Sequence, residues 1–137
     1  MTSSEWLLRN AILQVAFSSF LGWLMLLPRQ KRGGGALAVL LTKDFTAAHL
    51  DWLMLAFMQF GAAVVVSTRA IPYSSVMVAC LIFGGWANPL SYVFRAFGVN
   101  GFAMGGDVTQ RIAASIGALS SSAITVGWGL ILVGVFG

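Results

Sequence analysis

Four long apolar runs separated by short polar breaks make up this chain, at about residues 8–27, 49–68, 74–97 and 111–136. Each is about twenty residues or more, the length an α-helix rising 1.5 Å per residue needs to cross ~30 Å of hydrocarbon. A membrane β-barrel would show short alternating strands instead. In lipid every backbone N–H and C=O must be paired within its own segment, which also selects helices. The pattern therefore predicts an all-α fold: a single-domain, integral membrane four-helix transmembrane bundle covering residues 1–137.

The breaks differ in kind. The first, at 28–48, opens with Pro28 and the basic run Arg29-Gln30-Lys31-Arg32, followed by Gly33-Gly34-Gly35. Its apolar piece, 36–41, is too short to span and is expected at the membrane interface. The second is a tight turn around Arg69, Pro72 and Tyr73. The third, at 95–110, holds Gly98, Gly101, Gly105, Gly106 and Asp107. Arg29, Lys31, Arg32, Lys43, Arg95 and Arg111 fall at the first and third breaks, against Arg9 and Arg69 at the other end. That bias places the long loops in the cytoplasm and both termini outside. Because the first run ends in basic residues rather than a small-residue cleavage site, it reads as an uncleaved span.

Composition agrees with lipid as the solvent. Of the 137 residues, 58% are hydrophobic and 9% charged, where soluble domains carry roughly 25% charged residues. The net charge of +4 is no sign of nucleic-acid binding. The basic residues lie between the apolar runs, where they hold loops at lipid headgroups. Membrane lipid is the expected partner, in a multi-pass protein of a bacterial inner membrane. Cys80 is the only cysteine, so an intrachain disulfide is excluded.

Polar residues inside the spans each ask for a partner or a purpose. Asn10, Gln14, Ser18 and Gly22 follow at steps of four in the first span, as do Ala113, Gly117, Ser121, Thr125 and Gly129 in the fourth. Both stripes are expected to pack helices together. In the third span Cys80, Gly84, Asn88 and Tyr92 share a face, with Arg95 just beyond. Pro89 removes a backbone donor and crowds the Gly85 carbonyl, which predicts a kink beside Asn88 and a freed carbonyl. That face reads either as the wall of a polar pocket or as a hydrogen-bond network between helices.

The second span opens with Ala48-His49-Leu50-Asp51-Trp52, and His49 is the only histidine. It reads either as a ligand or as an interfacial hydrogen bonder. Asp51 lies about 160° around the helix from it, so the two are not expected to pair. One histidine excludes a bis-histidine cytochrome, and the donors are too few for a zinc cluster. No Ser-His-Asp arrangement or phosphate-binding glycine spacing is present. Small multidrug exporters need an embedded carboxylate in the first span, whereas Glu5 lies outside the apolar run.

Two segments, AHLDWLMLAFMQFGAA at 48–63 and GGWANPLSYVFRAFGVNGF at 84–102, resemble the small membrane isomerases that include styrene oxide isomerase and hydroxylaminobenzene mutase. The likeness covers residues 45–135 in layout and these two segments in detail. It rests on Gly85-Trp86, Asn88, Tyr92 and Phe94, and on the Ala48-His49-Leu50-acid start of the second span. The resemblance implies a trimeric four-helix protein that binds haem b, with His49 on the iron and ferric iron as a Lewis acid toward a substrate oxygen. It also implies Tyr92 as a substrate-orienting phenol. Asn88 is an auxiliary polar contact on this reading, and Trp52 and Trp86, with Phe57 and Phe60, form an apolar wall for the porphyrin or substrate. The expected reaction rearranges a small apolar, aromatic epoxide or hydroxylamine with no net redox change. Other readings are a haem-binding sensor or electron-transfer partner, and a cofactor-free structural or accessory membrane protein. The sequence departs from the family in two places: Leu55 stands where the isomerase has an asparagine, and Gly84 where it has an acid.

Overall fold

A computed structural model describes residues 1–30 and 35–137, and Lys31, Arg32, Gly33 and Gly34 of the first break lie outside the described residues. The described chain is all helical, and four of its helices are long and apolar enough to cross a membrane. They are α1 (Ser3–Leu24), α2 (Lys43–Thr68), α3, which is broken into α3a (Ser74–Ala87) and α3b (Leu90–Ala96), and α4 (Val108–Phe136). A helical turn, Leu27–Gln30, follows α1, and the short apolar piece of the first break is a 3-10 helix, Ala36–Leu41.

Capping side chains set three of the helix starts, and each start lies before its apolar run. Thr2 Oγ1 accepts from the Glu5 N–H at 3.2 Å, while Glu5 Oε2 accepts from the Thr2 N–H at 2.8 Å, a reciprocal capping box. Thr42 Oγ1 accepts from the Phe45 N–H at 3.2 Å, and Asp107 Oδ1 from the Gln110 N–H at 2.8 Å. Starts expected near 8, 49 and 111 therefore move to Ser3, Lys43 and Val108. The apolar run marks the hydrocarbon-length segment, whereas a capped helix extends past it through charged turns. His49 consequently sits well inside α2 rather than at its first residue.

Consecutive long helices run antiparallel. Ser4 Oγ at the start of α1 donates to the Ala63 carbonyl near the end of α2 at 2.9 Å. Arg95 at the end of α3b pairs with Asp44 at the start of α2. Gly134 near the end of α4 packs on Ile71 in the second break. The first and third breaks thus share one end, which gathers Arg29, Lys43, Arg95 and Arg111.

Two apolar clusters flank the middle of the bundle. One holds Leu7, Ala62, Met77, Leu81 and Ile131, and the other Leu21, Met25, Leu40, Phe45 and Trp52. The exterior is apolar as well: Trp23 is 73% exposed, Phe57 60% and Phe136 83%.

Helix α4 packs along the expected stripe only as far as Ser121 and on a different line beyond it. Methyl groups on Gly117, Gly127 and Gly134 would stand 2.6 Å from Ser91 Oγ, 2.7 Å from Leu81 Cδ2 and 2.5 Å from Ile71 Cδ1, respectively. Gly84 of α3a abuts Ile124 and the Ser120 carbonyl. The packed seam is therefore Ala113, Gly117, Ser120, Ile124, Gly127, Ile131 and Gly134, at alternating steps of four and three. Thr125 is exposed and Gly129 meets only open space. A strict step of four drifts about 40° around a 3.6-residue helix each time, so the expected stripe leaves the interface after Ser121. The alternating step stays on it.

Candidate functional site: a polar belt and a cavity at the broken helix

Between the apolar clusters the polar side chains of α1, α2 and α3 bond to one another. Asn10 Nδ2 donates to Gln59 Oε1 at 2.5 Å, and Gln59 Nε2 donates to Gln14 Oε1 at 2.8 Å. Gln14 Nε2 donates to the Gly85 carbonyl at 2.7 Å. This is the carbonyl that Pro89, four residues later, leaves without its helical donor, so α1 supplies the missing hydrogen bond. The Trp86 indole donates to Asn10 Oδ1 at 2.9 Å, and the Trp52 indole donates to the Trp86 carbonyl at 3.2 Å. Gln14 and Gln59 are fully buried or nearly so. Glycine at 85 is required for this approach, because a side chain there would run into the Gln59 amide.

The same α1 stripe positions His49. Ser18 Oγ lies 3.1 Å from His49 Nδ1 and donates at 3.1 Å to the His49 carbonyl. One turn on, a methyl group at Gly22 would stand 3.2 Å from His49 Cε1. The half-buried imidazole therefore rests on the Gly22 backbone with Nδ1 engaged. Nε2 has no hydrogen-bond partner among the described residues and is not sealed from the surface. Asp51 faces the other way, accepting from Asn88 Nδ2 at 2.9 Å. The expected separation of His49 from Asp51 is thus present, with α1 holding one and α3 the other.

The expected face of the third span divides at the break. Cys80 lies beside Gly127, Gly84 beside Ile124, and Asn88 Oδ1 accepts from Ser121 Oγ at 3.0 Å, all against α4. Tyr92 turns away from them. Its ring packs edge-on against Phe102, centroids 4.9 Å apart, with the Arg95 guanidinium 5.0 Å from the Phe102 centroid. Ser91 takes the place expected for Tyr92. The Ser91 N–H bonds to the Asn88 carbonyl at 3.3 Å, an i to i+3 link. This tighter turn brings the residue three positions after Asn88, rather than four, toward α4.

A cavity of about 230 Å³ lies at this break between α3 and α4. Asn88, Ser91 and Ser121 line it with Ala114, Gly117 and Ala118, and Gly101, Phe102 and Met104 of the third break cover it. Neither His49 nor Tyr92 borders it. Ser91, Ala114 and Phe102 carry no mark of this role in the sequence. The signal available was the proline, which makes the four-residue step unreliable immediately after it.

Trp52 and Trp86 are both set edge-on to Phe17, centroids 5.0 and 5.3 Å away, with both indole N–H groups engaged. Phe57 and Phe60 pair with each other at 6.3 Å on α2. Leu55 is buried, and Gln59 is committed to Asn10 and Gln14. Haem makes two demands of such a chain, a donor and a slot. His49 meets the first: a ring nitrogen held by a hydroxyl while the other stays open is how a metal-binding imidazole is oriented. No three His, Cys, Asp or Glu side chains converge on a metal position among the described residues. Trp52 and Trp86 are packed against Phe17 inside the chain, so a porphyrin bound at His49 would lie on the outer side of these rings rather than between them.

No protein-family model, curated protein or solved structure matches the chain. Function therefore rests on the residues and their geometry.

Proposed function

We propose that this chain is a multi-pass integral membrane protein that binds haem b through His49 and rearranges a small apolar epoxide or hydroxylamine. The observation that carries the reading is the imidazole itself. Ser18 engages Nδ1, Gly22 leaves room for the ring, and Nε2 is without a hydrogen-bond partner among the described residues. Bound haem would supply a ferric Lewis acid able to draw charge from a C–O or N–O bond. The chain's own part is to fix the ring with Ser18 and to exclude water with the apolar exterior of α1 and α2. The resemblance adds a bacterial inner membrane, a homo-oligomer of three copies, and Tyr92 and Asn88 as the polar contacts to substrate.

A second reading keeps the haem without the isomerase chemistry, as a sensor or electron-transfer partner. Tyr92 is packed edge-on against Phe102, and Asn88 is bonded to Asp51 and Ser121, which favours it.

The visible spectrum of the protein purified with haem supplied tests both. We expect a Soret band that His49→Ala abolishes and Ser18→Ala weakens. A colourless wild-type protein removes both readings and leaves a cofactor-free structural or accessory role. Turnover of styrene oxide that is lost in Tyr92→Phe would then separate the isomerase from the carrier.

A further inference from the structure

We infer that the cavity at the α3 break binds a small apolar molecule, about the size of one aromatic ring with a short substituent, that carries one hydrogen-bonding oxygen. This site does not use His49 and stands whether or not haem binds.

Three observations carry the inference. The first is size. About 230 Å³ exceeds the ~150 Å³ of an apolar cavity that accepts benzene, and it is far too small for a porphyrin. The second is an unmet hydrogen bond. Ser91 is 3% exposed and borders the cavity, and its hydroxyl makes no hydrogen bond among the described residues. Its Oγ is not fully sealed and lies against Gly117, which also lines the cavity. Neighbouring Asn88 and Ser121 are already bonded to each other, and Asn88 is bonded to Asp51. Ser91 is thus the buried lining hydroxyl with no hydrogen bond of its own among the described residues, and it is the group assigned to the ligand.

The third observation is the character of the remaining wall. Ala114, Gly117, Ala118, Phe102 and Met104 give most of the lining no polar atom beyond the backbone. Water needs two to four polar partners and would be served only in the corner near Ser91. An apolar body with one polar end matches both parts of the wall. Phe102 and Met104 are 51% and 71% exposed and stand at the mouth, where a molecule dissolved in the membrane has lateral access.

Photolabelling of the full chain in detergent with 4-azidobenzyl alcohol tests this, using benzyl alcohol and toluene as competitors and peptide mapping as the readout. We expect saturable labelling within residues 98–121 that benzyl alcohol displaces. Ala118→Trp, a change at an exposed wall position, should reduce it at least about tenfold while the protein stays monodisperse. Ser91→Ala should weaken benzyl alcohol about fivefold, as loss of one hydrogen bond does, and leave toluene unchanged. His49→Ala should leave the labelling intact. Labelling that survives Ala118→Trp, or that benzyl alcohol does not displace, is partition into detergent and overturns the inference. Loss of labelling in His49→Ala overturns it too, by placing the probe at the histidine. Equal weakening of both competitors in Ser91→Ala overturns the assigned hydrogen bond.

Discussion

At the scale of single residues, each buried amide and hydroxyl of α1 has a partner on another helix. Asn10, Gln14 and Ser18 bond to Gln59, the Gly85 carbonyl and His49. In hydrocarbon no water replaces a lost partner, although measured values for such bonds are modest, ~0.6 kcal/mol on average. Gln14→Leu strips both Gln59 Nε2 and the Gly85 carbonyl of their partners. It should lower thermal stability in detergent by about 1–3 kcal/mol, read as a fall in Tm. Gly22→Val should act differently, because the added side chain meets the imidazole rather than another amide. Its expected signature is loss of the haem spectrum with little change in Tm. An intact Soret band in that variant would show that ring placement over Gly22 is irrelevant to the cofactor. The α1 stripe was legible in the sequence because its four-residue spacing meets α2 along most of its length. Ser91 was not legible, because its importance depends on the local tightening after Pro89.

At the scale of elements, two features govern how α3 meets its neighbours. The first is the break. Pro89→Ala returns an N–H whose helical acceptor is the Gly85 carbonyl, in competition with Gln14. The destabilisation caused by Gln14→Leu should therefore shrink in the Pro89→Ala background. A double-mutant cycle should give a coupling of about 0.5–1 kcal/mol, within the range for residues sharing a partner. Strict additivity would mean that the Gly85 carbonyl is not the shared acceptor. The second feature is the glycine seam of α4. Gly127→Leu drives a side chain into Leu81 and should cost about 1–3 kcal/mol as overpacking. Gly129→Leu points into open space and should leave Tm unchanged. The sequence marked Gly129 rather than Gly127 as a packing residue, since a run of small residues fits several periodicities and only the partner helix selects one.

At the scale of the whole molecule, the antiparallel order gathers Arg29, Lys43, Arg95 and Arg111 at one end and leaves Arg69 at the other. The ion pair of Arg95 with Asp44 ties α3b to the start of α2 at the basic end. Reporter fusions should place the first and third breaks in the cytoplasm and the second outside, following the basic bias. His49 and the cavity occupy different sides of α2 and α3: the histidine faces α1, and the cavity faces α4. The two proposed sites can therefore be tested separately.

Run lengths, the proline and the four-residue stripe of α1 fixed the number of long helices, the break near residue 88 and one helix interface. These follow from backbone pairing and helix period, which are local. The face that α4 presents, the turning of Tyr92 onto Phe102 and the unbonded hydroxyl of Ser91 came only from the assembled bundle. Each of these depends on which atoms of a distant helix lie opposite, and a linear pattern of apolar and small residues carries no record of that partner.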